Sequence, residues 1–240
     1  MTAGDGYHSP HYDDSDDISV GSRNSEERKR NKEEDELIDS VMLESNDFDY
    51  SSNDDAIQER QNKIMNKHLS KLEIEIFNSI KYGDHHKLMD MGISDVVDLN
   101  FKIEIEKDVF YAPVMLAAAL GQDKCLKVIL QNRMVDINVQ DEKTGTNSFW
   151  VAAYYGRGMC MSILALNGIN ILNTHKYTQT NALHVAIERK HWEVARMLID
   201  SKYPLDERKN GGLTPLILCA RNNDKEANQI SEQLVKKGSD

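Results

Sequence analysis

The chain has 240 residues, 29 basic and 40 acidic, for a formal net charge of −11; that length holds one to two domains, and the acidic balance excludes an overall basic field for nucleic acid. Three cysteines lay down no disulfide framework, and Met1-Thr-Ala-Gly-Asp-Gly6 has neither the basic start nor the apolar run of a secretory signal. The longest apolar run, Val114 to Leu120, falls far short of the ~20 residues of a membrane helix, so the expected location is cytoplasmic or nuclear, neither secreted nor transmembrane.

The charge is unevenly placed. Residues 1–60 hold 18 acidic and 6 basic residues, whereas residues 61–240 hold 22 and 23. Residues 1–52, rich in Asp, Glu, Ser and Asn, cannot bury enough surface to offset chain entropy, and they read as a disordered acidic tail. One stretch inside it differs. Leu37, Ile38, Val41 and Met42 make one apolar helix face with acids before it, and Phe48 and Tyr50 follow. Two readings stay open: a transient helix in the tail, or a linear motif from Leu37 to Tyr50 that folds on a partner or on the protein's own groove. Arg28-Lys-Arg30-Asn-Lys32 is either a basic interruption of the tail or an import signal.

Residues 53–107 open with Asn53 at a helix cap and Asp54 and Asp55 in the first turn. Ile57, Ile64, His68, Leu72, Ile76 and Ile80 then recur at helical spacing. Leu72 to Asp84 predicts the first helix of a degenerate repeat unit, and His85 to Met91 its second helix. Such a unit caps an array, because a terminal repeat must present a polar outer side. Val97, Leu99, Phe101, Ile103 and Ile105 alternate, which predicts an elongated β-finger over Asp95 to Lys107.

Four apolar blocks follow, aligned on the small residues Ala117, Ala152, Ala186 and Cys219 at steps of 35, 34 and 33 residues. A near-constant step of this size marks a solenoid whose units bury their apolar faces on one another. The units span 108–140, 141–174, 175–207 and 208–240. Each of the first three carries a second apolar stretch: Cys125-Leu126 with Ile129-Leu130, Cys160-Met161 with Ile163-Leu164, and Val194-Ala195 with Met197-Leu198. Gly121, Gly156 and Asn223 stand between the two helices, where a left-handed conformation is wanted; Lys190 breaks that rule. The second stretch of the fourth unit is long and polar, which suits a C-terminal cap. The chain stops at Gly238-Ser-Asp240, where a further repeat would begin, so a piece of a longer protein is also an open expectation.

The blocks resemble ankyrin repeats, whose signature is T-P-L-H-x-A about 33 residues apart. The fourth keeps Thr214-Pro215-Leu216, the third Leu183-His184-x-Ala186, and the first Ala112-Pro113. The second departs most, with Phe149-Trp150 where Leu-His is usual. The resemblance covers roughly residues 72–240. It implies an all-α solenoid, an ankyrin repeat array of helix-turn-helix units with β-turn finger loops, preceded by the disordered acidic tail. It also implies a non-catalytic scaffold or adaptor that binds another protein through a concave groove.

No catalytic constellation accompanies the repeats: there is no Gly-rich phosphate loop, no paired Cys-x-x-Cys and no His-Glu-x-x-His. Neither a cofactor nor a metal is expected. Cys125, Cys160 and Cys219 sit at apolar repeat positions and read as small core residues. His184 matches the signature histidine, which in the family holds the neighbouring turn.

The resemblance also places a binding face on the finger tips and the exposed side of each first helix. Tyr111, Tyr154, Tyr155 and Tyr177 fall on such positions in three consecutive units, with Arg189 and Arg221 on the next two. Tyrosine and arginine anchor interfaces, since they offer large area with a polar tip. The alternative is that some of these rings pack against neighbouring fingers. An acidic-apolar peptide suits the face, and the chain's own segment from Leu37 to Tyr50 is a candidate ligand. Asp14-Ser15-Asp-Asp-Ile18-Ser19 resembles the Asp-Ser-Gly-x-x-Ser degradation signal of the inhibitor-of-kappa-B family, with Asp16 in place of glycine. A phospho-regulated inhibitor of that type is the competing reading, with Ser15 and Ser19, and the acid-flanked Ser51 and Ser52, as candidate phosphorylation sites. A third reading is the targeting region of a larger enzyme or channel.

Overall fold

The computed structural model describes residues 70–93, 97–106, 109–222 and 224–239. The expected tail, the helix expected from Asn53, the segment from Leu37 to Tyr50, and Ser15, Ser19, Ser51 and Ser52 lie outside the described residues.

The described residues form helices in pairs: α1 (Lys71–Lys81) with α2 (His85–Asp90), α3 (Pro113–Leu120) with α4 (Asp123–Ile129), α5 (Ser148–Tyr154) with α6 (Gly158–Leu166), α7 (Ala182–Glu188) with α8 (Trp192–Asp200), and α9 (Pro215–Arg221) with α10 (Lys225–Lys236). Local chemistry sets their starts. Ser70 and Glu73 form a capping box at α1, the Glu73 N–H meeting Ser70 Oγ at 3.3 Å. Pro113 and Pro215 occupy the first helical position of α3 and α9, where a missing N–H costs nothing. Asn147 and Asn181 cap α5 and α7, each accepting two backbone N–H groups on its side-chain oxygen.

The first helices stack in one layer, α1 on α3, α3 on α5, α5 on α7 and α7 on α9. The second helices stack behind them in the same order. Helix α3 therefore has a neighbour on every side, and Pro113 to Ala119 are all buried. The aligned residues Ala117, Ala152, Ala186 and Cys219 have no exposed surface. A small side chain at that point lets adjacent helices approach closely, and a larger one would overpack the layer.

The turn between the helices of a pair is left-handed, with φ of 72° at Gly121, 69° at Gly156 and 60° at Lys190. The next unit closes over it. A Cβ added at Gly121 would lie 2.9 Å from Arg157 Cδ, and one at Gly156 2.7 Å from His191 Nδ1. Lys190 adopts the same conformation with a side chain, at a cost of about 1 kcal/mol, and its Nζ lies 3.2 Å from Asp224.

One expectation changes in detail. The alternation over Asp95 to Lys107 becomes a strand only at its end. There β1 (Ile103–Glu106) pairs antiparallel with β2 (Val109–Tyr111), with an irregular register between Glu104 and Glu106. Leu99 and Ile103 point into the core and are buried, which accounts for the apolar periodicity upstream of the strand. At the other end, α10 has 12 residues against 9 in α6 and α8. It buries Ala227, Ile230 and Leu234 and leaves Lys225, Glu226, Glu232 and Lys236 exposed, an amphipathic face suited to closing the stack.

Candidate partner-binding face

The finger loops are built alike. The Asp141 N–H donates to the Thr146 carbonyl at 2.9 Å, and the His175 N–H to the Thr180 carbonyl at 2.9 Å. Adjacent fingers are joined edge to edge, Lys176 N–H to the Thr144 carbonyl at 2.7 Å and Asn210 N–H to the Thr178 carbonyl at 2.9 Å. The fingers thus present a continuous hydrogen-bonded edge beside the ends of α5 and α7.

Asp141 and His175 occupy the same repeat position and do the same work. The buried Asp141 carboxylate accepts from the Thr144 N–H at 2.8 Å, the Thr144 hydroxyl at 2.7 Å and the Phe110 N–H at 3.1 Å. His175 Nδ1 accepts from the Tyr177 and Thr178 N–H groups, both at 3.3 Å. That places the proton on Nε2 of a neutral ring. Burial holds its pKa below the ordinary 6.5, with Asp141 pulling the other way.

A run of rings crosses two units on this face. Tyr155 meets Tyr154 edge-on at 4.9 Å; Tyr154 stacks on Trp150 at 5.4 Å; Trp150 meets His175 at 5.6 Å; and His175 meets Tyr177 at 6.0 Å. The run is pinned in its middle, where Trp150 Nε1 donates to the Thr180 carbonyl at 2.9 Å. It ends in solvent: Tyr177 is 56% exposed, with Lys176 Nζ 5.5 Å from its ring centre. The guanidinium of Arg189 lies over the Tyr154 ring at 4.1 Å. Beside it Glu188 and Lys209 form an ion pair.

Of the six side chains expected to line the face, the structure brings Tyr154, Tyr155, Tyr177 and Arg189 into this one assembly. Arg221, at the end of α9, is exposed and stands outside the stack. Tyr111 requires a correction. It is only 7% exposed and lies beneath Tyr155, to whose hydroxyl it is hydrogen-bonded. Burial first, then Tyr155 and Asp141, push its phenol well above the ordinary 10. The next unit covers the finger at that point, so Tyr111 supports the face and offers it almost no area.

Trp150 and His175 belong to the assembly and are not among the side chains that the sequence places on the face. The signal was present for both. Trp150 is the departure from the usual histidine in the second block, and His175 is 34 residues beyond Asp141.

The remaining reactive groups are held inert. Burial raises the thiols of Cys125 and Cys219 to about 11 and that of Cys160 further still, Cys160 donating to Asp123 Oδ1 at 3.0 Å. His184 is fully buried, between the Asn181 N–H and the Leu213 carbonyl, and burial lowers it to about 4. Among the described residues no group of three or more His, Cys, Asp or Glu is placed to hold a metal ion. Among the same residues no helix is long and apolar enough to cross a membrane.

Comparison with known families identifies a repeat family. The family described as "Ankyrin repeats (3 copies)" matches residues 114–208 and again 149–240. No curated protein matches the chain.

Proposed function

The chain belongs to the ankyrin repeat family, and from that premise we propose that it is a non-catalytic scaffold or adaptor that binds a partner protein on its finger and first-helix face. Ankyrin repeats are in general protein–protein interaction modules. The observation that carries the reading is the run of rings from Tyr155 to Tyr177, which ends in a largely exposed tyrosine. Rings fixed by stacking lose little entropy on binding, so they suit an interface centre. Lys176 beside Tyr177 and Arg189 over Tyr154 set positive charge along that run, with Arg221 exposed on the next unit, and the occupant that complements them is an acidic-apolar segment of a cytoplasmic or nuclear protein.

The test compares what the full chain captures from cell extract with what its Tyr155→Ser/Tyr177→Ser variant captures. The reading expects partners retained by the unaltered chain to be lost from a variant whose circular dichroism is unchanged. Equal capture by the two would reject this face. The chain's own segment from Leu37 to Tyr50 has the required composition, so a free peptide of residues 37–50 is the first ligand to titrate.

A further inference from the structure

The outer side of the second-helix layer carries a feature that the repeat does not require. From Gly158 to Thr174 the chain has no charged residue. Met159, Ser162 and Leu166 stand at i, i+3 and i+7 and so share one face of α6. Met159 and Leu166 are exposed, Leu166 at 87%. The Ser162 hydroxyl is turned back onto the Gly158 carbonyl at 3.1 Å, so the polar atom within the stripe is already satisfied.

The flanking helices show what these positions otherwise hold. Helix α4 packs on one side of α6 and α8 on the other. Lys124, Met159 and Glu193 occupy one repeat position, each directly before its helix's buried Cys125, Cys160 or Val194. Gln131, Leu166 and Asp200 occupy another. An apolar residue at either level is thus no demand of the fold, and an exposed apolar stripe rimmed by polar side chains marks a contact surface.

We propose that this outer face of α6 is a homodimer interface, on which a second copy of the chain lays its own Met159 and Leu166 about a two-fold axis parallel to the helix. The rims name the occupant. On the α4 side stand Lys124 and Lys127, and on the α8 side Glu193 and Asp200, all four exposed. An axis along α6 carries the α4 rim of one copy onto the α8 rim of the other at the same level. Lys124 then faces Glu193 of the second copy, and the pair forms twice, as an isologous interface requires. Arg196, between the two carboxylates, is drawn aside into bonds with Glu193 and with Gln229 of α10. Glu193 still keeps 89% of its side chain exposed, and Asp200 is bridged to Lys237 at the far edge. The array itself adds no net repulsion, since residues 61–240 hold 22 acidic and 23 basic residues.

The experiment is sedimentation equilibrium of the full chain from low to high micromolar concentration. A reversible monomer–dimer equilibrium is expected. Leu166→Glu sets a carboxylate against its own copy in the dimer and should weaken association about ten-fold or more. Leu166 is exposed in the monomer, so the circular dichroism and melting temperature of that variant should not move. Lys124→Glu and Glu193→Lys should each weaken association, and the two together should restore it. That rescue belongs to the second copy, because within one chain α6 separates the two residues. The Tyr155→Ser/Tyr177→Ser variant should dimerise as the unaltered chain does, which keeps this face apart from the finger face.

A chain that stays monomeric throughout would overturn the proposal and leave the stripe to a different protein. A dimer indifferent to Leu166→Glu would overturn it too, by placing the contact elsewhere. Association lost in Leu166→Glu but not restored by the charge exchange would overturn the two-fold axis along α6.

Discussion

The imidazole of His191 meets the carbonyl of Tyr154 at 2.8 Å, fastening the unit that carries Arg189 to the unit that carries the tyrosine beneath it. The same position does this along the array. Arg157 Nε donates to the Ala119 carbonyl at 3.1 Å, and Gln122 lies over Gly83. Each latch closes on a left-handed turn, so turn conformation and unit-to-unit stacking are one structural device.

Gly156→Ala should therefore destabilise the protein by about 1 kcal/mol or more, since the new Cβ meets His191 and the backbone is left-handed. Lys190→Gly should act in the opposite sense. It relieves the φ of 60° and loses only a mostly solvated bridge to Asp224, for a net gain of roughly 0.5–1 kcal/mol. Urea denaturation of both variants checks the pair. A destabilised Lys190→Gly protein would show that the bridge to Asp224 outweighs the backbone strain.

The buried histidine sets an acid limit. In the unfolded chain His184 takes up a proton as pH falls through its ordinary 6.5, whereas in the fold it resists until about 4. The stability associated with the neutral ring is complete above pH 6.5 and is lost progressively down to pH 4, by about 3 kcal/mol. His175 and His191, also lowered by burial, act in the same sense. Denaturation at a series of pH values should show this loss, and His184→Gln should flatten it. An unchanged slope in the variant would contradict the assignment.

Tyr111 and Tyr177 should separate cleanly. Tyr111→Ala removes a buried ring beneath Tyr155 and should cost about 3 kcal/mol or more. Tyr177→Ala removes an exposed one and should stay within about 0.5 kcal/mol, with its effect on partner binding alone. Thermal melts rank the two, and a reversed order would move Tyr111 back onto the open face.

Cys125, Cys160 and Cys219 are buried, with raised thiol pKa values. A thiol reagent at pH 7 should leave all three unmodified in the native protein and modify all three in denaturant. Rapid labelling of any one in the native state would place it outside the core.

The array itself was legible in the sequence. The spacing of Ala117, Ala152, Ala186 and Cys219 placed four of the first helices, and the apolar pairs behind them placed the second helices of the first three full units. Gly121 and Gly156 marked the turns between. These features are local or strictly periodic, and each unit's core is made by the same few positions, so a one-dimensional reading reaches them.

The face was legible only in part, because burial at a repeat position depends on what the next unit lays over it. Tyr111 and Tyr177 both fall on finger positions, yet Tyr155 and Asp141 close over the first while the second stands in solvent beside Lys176. The pairings of Trp150 with His175 and of Tyr154 with Arg189 join residues from different units. The sequence by itself determined which positions face the fingers and which the core. The stacking of one unit on the next decided which of those rings are covered, which are pinned and which one carries the arginine, because ring contacts form only after the chain between them has folded into place.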